Sequence, residues 1–175
     1  MRAADQTPGA PVHFSATIDY PADPLTVAAM LADEEFVARK MAATGALEHA
    51  EEIHRDGGAF TVTSRIKMPT TSIPARFRSL VGESLDVRLV EAWEGPAADG
   101  SRGSTLALDI QGVPVRVTGT QRLTPTAEGC RETYDGEVTA SIPLFGKPIE
   151  EAAARTVGDV VDVERRIGLE FLAAR

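Results

Sequence analysis

The chain has 175 residues, of which 43% are hydrophobic and 25% are charged, and its formal net charge is −8. This length fits one domain with a substantial core. The acidic balance argues against a nucleic-acid partner, because binding to phosphates needs clustered Lys and Arg. The single cysteine, Cys130, excludes an internal disulfide scaffold.

The opening segment Met1–Pro11 is expected to be a short flexible leader, because it lacks the apolar stretch of a secretory signal. The rest of the chain, 12–175, is expected to form one domain. No run of 18 apolar residues occurs, so we expect no stable membrane insertion. A cytoplasmic location is the default expectation.

The first elements are predicted to be a strand followed by two helices. Val12–Tyr20 alternates between apolar and polar residues, which is typical of a half-buried strand. Asp23 before Pro24 is a good N-cap and first-turn pair for a short helix. A second helix is predicted at about Glu34–Thr44, with Gly45 as its C-cap.

The middle of the chain is predicted to form about six more strands. Short turns between them favour antiparallel pairing. Gly119 and Gly136 lie inside strands, where glycine usually marks a bulge or a bend. The predicted strands are Leu47–Arg55, Ala59–Met68, Ser84–Glu94, and those marked by Leu106–Ile110, Val113–Val117 and Tyr134–Ile142.

A long amphipathic helix is predicted from Pro148 to Ala174. Its apolar residues recur at spacings of three, four and seven positions, which places them in a stripe along one face of a helix. Glu164 falls near the middle of this stripe, where a carboxylate is not expected. The stripe consists of Ile149, Ala153, Val157, Val160, Ile167 and Phe171.

The element order, together with the sequence IPLFGKPIEEAAAR at Ile142–Arg155, resembles the START-like superfamily. This superfamily includes lipid-transfer domains, polyketide cyclases and pollen-allergen-type proteins, and the chain looks most like an uncharacterised bacterial family within it. The likeness covers Val12 to the C-terminus. It implies an α+β helix-grip fold, a curved antiparallel sheet of about seven strands around a long C-terminal helix.

Glu164 is the sharpest candidate for function. A carboxylate on the inner face of a gripped helix is either a polar anchor or general acid/base in a ligand cavity, or a structural partner of an Arg or His from the sheet. A slightly rotated helix would instead move it to the edge of the stripe. Gly168, one turn later, is expected to leave room beside it.

The favoured function is binding or carriage of a small, mostly apolar ligand, lipid or polyketide-like, between the sheet and the C-terminal helix. The alternatives are a cyclase/dehydratase-type enzyme, with Glu164 as acid/base and Tyr134 or His49 assisting, and an interaction module with a solid core and a protein partner. No cofactor is expected, and no metal, since no His-x-x-x-His, Cys-x-x-Cys or tight acidic cluster occurs. The candidate ligand-binding residues are Phe14, Val62, Phe77, Trp93, Tyr134, Val160, Glu164 and Ile167.

The segment Pro69–Gly82 interrupts the strand pattern and is predicted to be a loop with a helical turn. It is either a lid over the cavity mouth or a plain connection with a solvated arginine face. As a lid, Arg76 and Arg78 would suit a carboxylate or a headgroup, and Phe77 and Leu80 an apolar tail.

Overall fold

Seven strands form a single antiparallel sheet in the computed structural model, which describes residues 10–73 and 75–175. Strands 2 to 7 form a meander, and the first strand pairs with the last. The strands are β1 (Val12–Tyr20), β2 (Glu48–Asp56), β3 (Ala59–Pro69), β4 (Ser84–Trp93), β5 (Arg102–Ile110), β6 (Val113–Thr126) and β7 (Gly129–Ala140). Across the sheet their order is β1-β7-β6-β5-β4-β3-β2.

Two short helices follow β1, and a long helix comes after the last strand. The helices among the described residues are α1 (Pro24–Leu31), α2 (Glu34–Ala43), α3 (Ala75–Val81) and α4 (Gly146–Ala173), with a 3-10 turn at Thr70–Ser72. The predicted α+β helix-grip fold, a curved sheet around a C-terminal helix, is confirmed. Of the predicted leader Met1–Pro11, residues 1–9 lie outside the described part of the chain.

Aspartate caps start both short helices. Asp23 Oδ1 accepts hydrogen bonds from the backbone N–H groups of Leu25 at 2.9 Å and Thr26 at 3.1 Å, as the sequence predicts. Asp33 caps α2 in the same way, by accepting from the N–H of Glu35 at 2.9 Å. These caps fix the turn between β1 and the helices that close one end of the sheet.

Most predicted boundaries hold, but β5 and β7 begin before the residues that mark them, at Arg102 and Gly129, and β6 and α4 are also longer than predicted. β6 does not end near Val117 but continues to Thr126, because its long pairing with β7 supplies hydrogen bonds along the whole strand. α4 begins at Gly146, two residues before Pro148, which therefore lies in the first turn, where its missing N–H is not needed.

Gly119 and Gly136 face each other across β6 and β7, and the register passes through this pair without a bulge. A Cβ at Gly119 would lie 2.6 Å from the carbonyl oxygen of Asp135. A Cβ at Gly136 would lie 2.5 Å from Cζ of Phe14. The two glycines therefore permit a close approach of strands and of the Phe14 ring that no larger residue would allow.

The apolar interior has two parts with different packing partners. The larger part joins the sheet to α1, α2 and the C-terminal half of α4, and includes Ile167 and Phe171. The smaller part joins Val115, Val117 and Val138 of the sheet to residues in the N-terminal half of α4. The C-terminal half of α4 thus packs against the larger part of the interior, and its N-terminal half against the smaller part.

Candidate functional site

A cavity of about 860 Å³ lies between the sheet, the first two thirds of α4 and the α3 segment. Most of its wall is apolar and comes from β3, β4, β5, β6 and α4. Its apolar wall includes Ile66, Met68, Phe77, Leu89, Leu106, Leu108, Val117, Val157 and Val160. A cavity of this size and character lies within the range that proteins use for small-molecule ligands.

Glu164 marks the boundary between this cavity and the packed core. Residues of α4 from Ile149 to Glu164 contribute to the cavity wall, whereas Ile167 and Phe171 belong to the core beyond it. The Glu164 side chain is 4% exposed. The carboxylate is therefore placed at the inner end of the cavity, on the helix face where the sequence predicts it.

Four polar side chains, Lys40, Glu91, Tyr134 and Glu164, meet at this inner end, and we call them the polar cluster. Lys40 Nζ donates to Glu164 Oε2 at 2.8 Å and to Glu91 Oε2 at 3.4 Å. Tyr134 Oη donates to Glu164 Oε1 at 2.6 Å. The members come from α2, β4, β7 and α4, so the cluster joins both layers of the fold.

Two further side chains of the sheet extend the cluster. Gln121 Nε2 donates to Glu91 Oε1 at 2.8 Å, and Ser104 Oγ donates to Gln121 Oε1 at 2.8 Å. Both residues are buried. Buried polar groups need such partners, because an unpaired group loses its hydration without compensation, and this chain of bonds fixes the orientation of Glu91.

The charges in the cluster stabilise one another. Burial alone would raise the pKa of the Glu164 carboxyl, but the charge of Lys40 and the hydrogen bonds from Lys40 and Tyr134 hold it below its ordinary value. Burial would likewise lower the pKa of Lys40, and the carboxylates of Glu164 and Glu91 raise it above its ordinary value. Burial raises the pKa of Tyr134 well above its usual range, so the phenol keeps its proton and acts as a donor.

A third carboxyl group, that of Glu132 on β7, lies behind the cluster and is fully buried. Its pKa is raised well above the ordinary value by burial and by the charge of Glu164. Neither of its oxygens accepts a hydrogen bond from any donor that the structure describes. Because its pKa is raised in this way, Glu132 keeps its proton and is neutral beside the charged carboxylate of Glu164.

Four of the eight candidate ligand-binding residues line the cavity. These are Phe77, Tyr134, Val160 and Glu164. Three others, Val62, Trp93 and Ile167, belong to the packed core, where Trp93 stacks on Phe60 with ring centroids 5.9 Å apart. Phe14 contacts a separate shallow groove of about 330 Å³ between β1 and α4.

The candidate catalytic residues do not all converge. Tyr134 and Glu164 are hydrogen-bonded to each other in the cavity wall. His49 lies on β2, where its Nδ1 is 2.6 Å from Glu51 Oε1, and it is not part of the cavity wall. Within the described residues no group of three or more His, Cys, Asp or Glu side chains is arranged to hold a metal ion.

Sequence reasoning missed Lys40, Glu91, Gln121 and Glu132. Each carries the same signal that identified Glu164, a polar residue at an apolar position of its element. Glu91 shares its strand face with Leu89 and Trp93, and Lys40 lies on α2 beside the buried Met41. The charged partner of Glu164 is thus a lysine from a helix, and not an Arg or His from the sheet, which was the structural alternative.

The expected space beside Glu164 at Gly168 is occupied. A Cβ at Gly168 would lie 2.7 Å from Cε1 of Tyr20 and 3.0 Å from its hydroxyl oxygen. The glycine therefore admits the Tyr20 ring against α4, and the prediction that it leaves room beside the carboxylate is wrong. The free space lies on the other side of Glu164, towards the N-terminus of α4.

The α3 segment forms part of the cavity wall through Phe77 and Val81. Phe77 is buried, and its ring meets that of Phe145 edge to face at 5.7 Å, which joins the segment to the start of α4. Arg78 donates to the carbonyl oxygens of Ile73 at 2.9 Å and Thr71 at 2.7 Å. That arginine stabilises its own loop, and it does not take the headgroup-facing position that the lid alternative gave it.

The second arginine of this segment also faces away from the cavity. Arg76 is exposed, and its guanidinium lies 4.7 Å from the centroid of the Phe77 ring. The side chain of Leu80 lies outside what the structure describes. In the described part of the chain, no helix is long and apolar enough to cross a membrane.

Comparison with known proteins gives a family model and several relatives. The family model described as "Protein of unknown function (DUF2505)" matches residues 14–172. Uncharacterized proteins of Mycobacterium tuberculosis (strain H37Rv) and Mycobacterium bovis are each 28% identical over 113 residues, which are 63% of this chain and 64% of the relative. The match therefore spans slightly less than two thirds of the length of these curated relatives.

Solved structures with the same fold include proteins with different descriptions. The aromatase/cyclase Zhui from a Streptomyces species has a TM-score of 0.55 at 13% identity, covering 92% of each chain. A START superfamily protein from Mycobacterium smegmatis has a TM-score of 0.56 at 13% identity, covering 93% of this chain and 98% of its own. A STAR-related lipid transfer protein from Xanthomonas axonopodis has a TM-score of 0.53 at 18% identity, covering 87% of this chain and 85% of its own. At sequence identities this low, the structural similarity shows a shared fold and nothing further.

Proposed function

The chain belongs to the DUF2505 family of proteins of unknown function, and we propose that it binds or carries a small, mostly apolar molecule in the cavity between α4 and the sheet. The observation that carries this proposal is the cavity of about 860 Å³, which has an apolar wall and a polar cluster at its inner end. Ligand sites typically combine a largely apolar surface with a few convergent polar groups that orient the ligand.

The arrangement of the walls supports an apolar guest over a filling of ordered water. Ordered water needs two to four polar partners. The buried polar groups of this cavity meet at one end, around Glu164 and Tyr134, whereas Arg155 and Asp159 lie on its exposed outer part. The apolar wall formed by Leu106, Leu108 and Val160 offers no such partners. A hydrocarbon or aromatic body beside these side chains would remove apolar surface from water, at roughly 25 cal/mol per Å².

The solved structures of the same fold are consistent with this proposal. One is described as a STAR-related lipid transfer protein and another as an aromatase/cyclase. The first description names a lipid, which is a largely apolar molecule. The identity of the molecule bound by this chain does not follow from them, because one fold supports many functions.

An enzyme of the cyclase/dehydratase kind is the second candidate, because Tyr134 and Glu164 share a 2.6 Å hydrogen bond in the cavity wall. However, a general base works best when its pKa lies near the working pH. The pairing with Lys40 holds the pKa of Glu164 below its ordinary value. The carboxylate is thereby a weak base, which favours a role in binding over proton transfer.

The third candidate, an interaction module with a solid core, has less support. A cavity of about 860 Å³ contradicts the solid core. An exposed apolar patch on Pro69–Gly82 would favour this candidate, but the large exposed apolar side chains among the described residues lie elsewhere, at Leu25, Leu47, Leu144, Phe145 and Leu169.

Binding is tested with purified protein and a neutral fluorescent probe, N-phenyl-1-naphthylamine, alongside native mass spectrometry of co-purified molecules. We expect saturable binding, and we expect Val160→Trp, which fills the cavity, to weaken it at least tenfold. Leu169→Trp is the matched control, because Leu169 is on the same helix, is 38% exposed and does not line the cavity. No saturable binding to the wild-type protein, or equal binding by both variants, would overturn the proposal.

A further inference from the structure

We propose that the inner end of the cavity takes a hydrogen-bond-donating end group, a hydroxyl or an amine, of an otherwise apolar molecule, and that it discriminates against carboxylates and phosphates. This inference rests on the proposed function and specifies the ligand class for the same site. It comes from the charges and hydrogen-bonding groups that the cluster presents.

The polar cluster has a formal excess of negative charge. One ammonium group, that of Lys40, lies between two carboxylates, those of Glu91 and Glu164. All three side chains are at most 8% exposed, so water screens them little. Glu132 adds no charge when it is protonated, and Tyr134 is a neutral phenol. The four groups that line the inner end therefore sum to −1.

The other charged residues of the cavity wall do not reverse this sign. Arg155 and Asp159 of α4 also contribute to the wall, and both are exposed on the outer part of the helix. Their charges are opposite and cancel formally. An anionic end group at the inner end would thus approach two carboxylates with a single cation between them, where like charges repel strongly because the surroundings are poorly screened.

Most donors of the cluster are committed, with one N–H of Lys40 left over, whereas several acceptors remain. Tyr134 has one proton and gives it to Glu164. Lys40 points two of its three N–H groups at carboxylate oxygens. Glu91 accepts one hydrogen bond on each oxygen, from Lys40 and from Gln121, and each carboxylate oxygen has two lone pairs.

The unused lone pairs of Glu91 are the feature that selects the ligand group. A hydroxyl or an ammonium group can donate to them, and an ammonium group would also offset the excess negative charge. A carboxylate or phosphate can only accept from this site, and the one N–H of Lys40 that is left over would bring the anion beside both Glu91 and Glu164, where like charges repel. An alcohol and an amine can both donate to the same oxygens of Glu91, and the experiment compares the two with separate probes.

The inference is tested with three probes of equal chain length, dodecan-1-ol, dodecylamine and dodecanoate, each used to displace N-phenyl-1-naphthylamine at pH 7.5 below its micellar concentration. We expect the alcohol and the amine to displace the dye at concentrations at least tenfold lower than dodecanoate. Equal or tighter binding of dodecanoate would overturn this inference and leave the proposed function intact. Failure of the dye to bind at all would overturn both.

Two variants test whether the preference for an amine over dodecanoate arises at the inner end of the cavity. Glu91→Gln removes one carboxylate from the inner end, and we expect it to reduce the amine-over-dodecanoate preference at least tenfold. Glu128→Gln, in the exposed turn before β7, makes the same change in net charge at the surface and is expected to leave the preference unchanged. An equal effect of both variants would show that the preference reflects the net charge of the protein, and would contradict the inference. If Glu91→Gln does not fold, the three-probe comparison in the wild-type protein still tests the inference.

Discussion

Lys40 Nζ lies 2.8 Å from Glu164 Oε2, and both side chains are 4% exposed. This contact joins α2, near the start of the chain, to α4, near its end. It also brings a buried cation to Glu164, a carboxylate within the apolar stripe of α4. The position of the cavity's polar end therefore depends on a pair whose members are far apart in sequence.

Removal of the cation should destabilise the fold strongly. Lys40→Met leaves Glu164 and Glu91 buried without their counter-ion, and we expect the free energy of unfolding to fall by about 3–5 kcal/mol. Urea unfolding followed by circular dichroism measures this loss.

A neighbouring surface pair provides the control for that substitution. Arg39 pairs with Glu170 at 3.2 Å, and the two side chains are 39% and 50% exposed. Arg39→Ala should change stability by less than about 1 kcal/mol. Similar losses for both variants would contradict the assignment of Lys40 to a buried cluster.

The same substitution at two neighbouring glutamates should have different effects. Glu132 is held protonated, so glutamine is a close neutral substitute, and Glu132→Gln should cost less than about 1.5 kcal/mol at pH 7. Glu164→Gln removes the principal partner of Lys40 and should cost about 3–5 kcal/mol. Equal costs in urea unfolding would show that Glu132 is not the neutral member of the pair.

The titration of Glu132 gives a further prediction for the pH dependence of stability. Its pKa is raised in the folded state, so the folded protein binds more protons than the unfolded chain above the ordinary pKa of a glutamate. The contribution of Glu132 is thus fully present below about pH 4.5 and is lost as the pH rises through the folded-state pKa. The stability of wild type relative to Glu132→Gln should decrease between pH 5 and pH 8, and a constant or increasing difference would contradict this.

Two glycines of α4 should respond to alanine in opposite directions. At Gly168 a Cβ would lie 2.7 Å from Cε1 of Tyr20, so Gly168→Ala should destabilise the protein by about 1–3 kcal/mol. At Gly158 nothing lies within 4 Å of the added atom, so Gly158→Ala should stabilise it by up to about 1 kcal/mol through helix propensity. Thermal unfolding of both variants checks the pair, and a stabilised Gly168→Ala would contradict the close contact of Tyr20 with α4.

The Phe77 ring should control ligand exchange. It is 3% exposed, forms part of the cavity wall and meets Phe145 edge to face. Phe77→Ala should accelerate dissociation of bound N-phenyl-1-naphthylamine at least severalfold in stopped-flow fluorescence. An unchanged dissociation rate would show that the α3 segment is a plain connection and not a cover.

The strands and helices could be predicted from the sequence because the patterns that indicate them lie within single elements. Strict alternation in Val12–Tyr20 and the stripe of α4 each depend on which face of one element is buried, and both matched the structure. Glu164 was found by the same logic, as a polar interruption of an apolar stripe. The α3 helix was predicted only as a helical turn within a loop, since two prolines and a short apolar cluster carry little periodicity.

The contacts within the site were harder to predict from the sequence, because they depend on how the elements pack together. Glu91 and Gln121 interrupt apolar strand faces as clearly as Glu164 interrupts its helix, and could have been found by applying the same test to strands. The pairing of Lys40 with Glu164 required knowledge of how α2 packs on α4. The occupation of the Gly168 site by Tyr20 likewise depends on β1 lying beside the helix.

The most direct test of the cavity's role is to observe where a bound molecule lies. Nuclear Overhauser effects between dodecan-1-ol and ¹³C-labelled methyl groups would report this in solution. Binding as proposed predicts effects from the alkyl chain to Leu106, Leu108 and Val160, with the hydroxyl-bearing carbon nearest the Glu164 end. Effects confined to the exposed Leu144 and Leu25, or none to the cavity wall, would contradict the account.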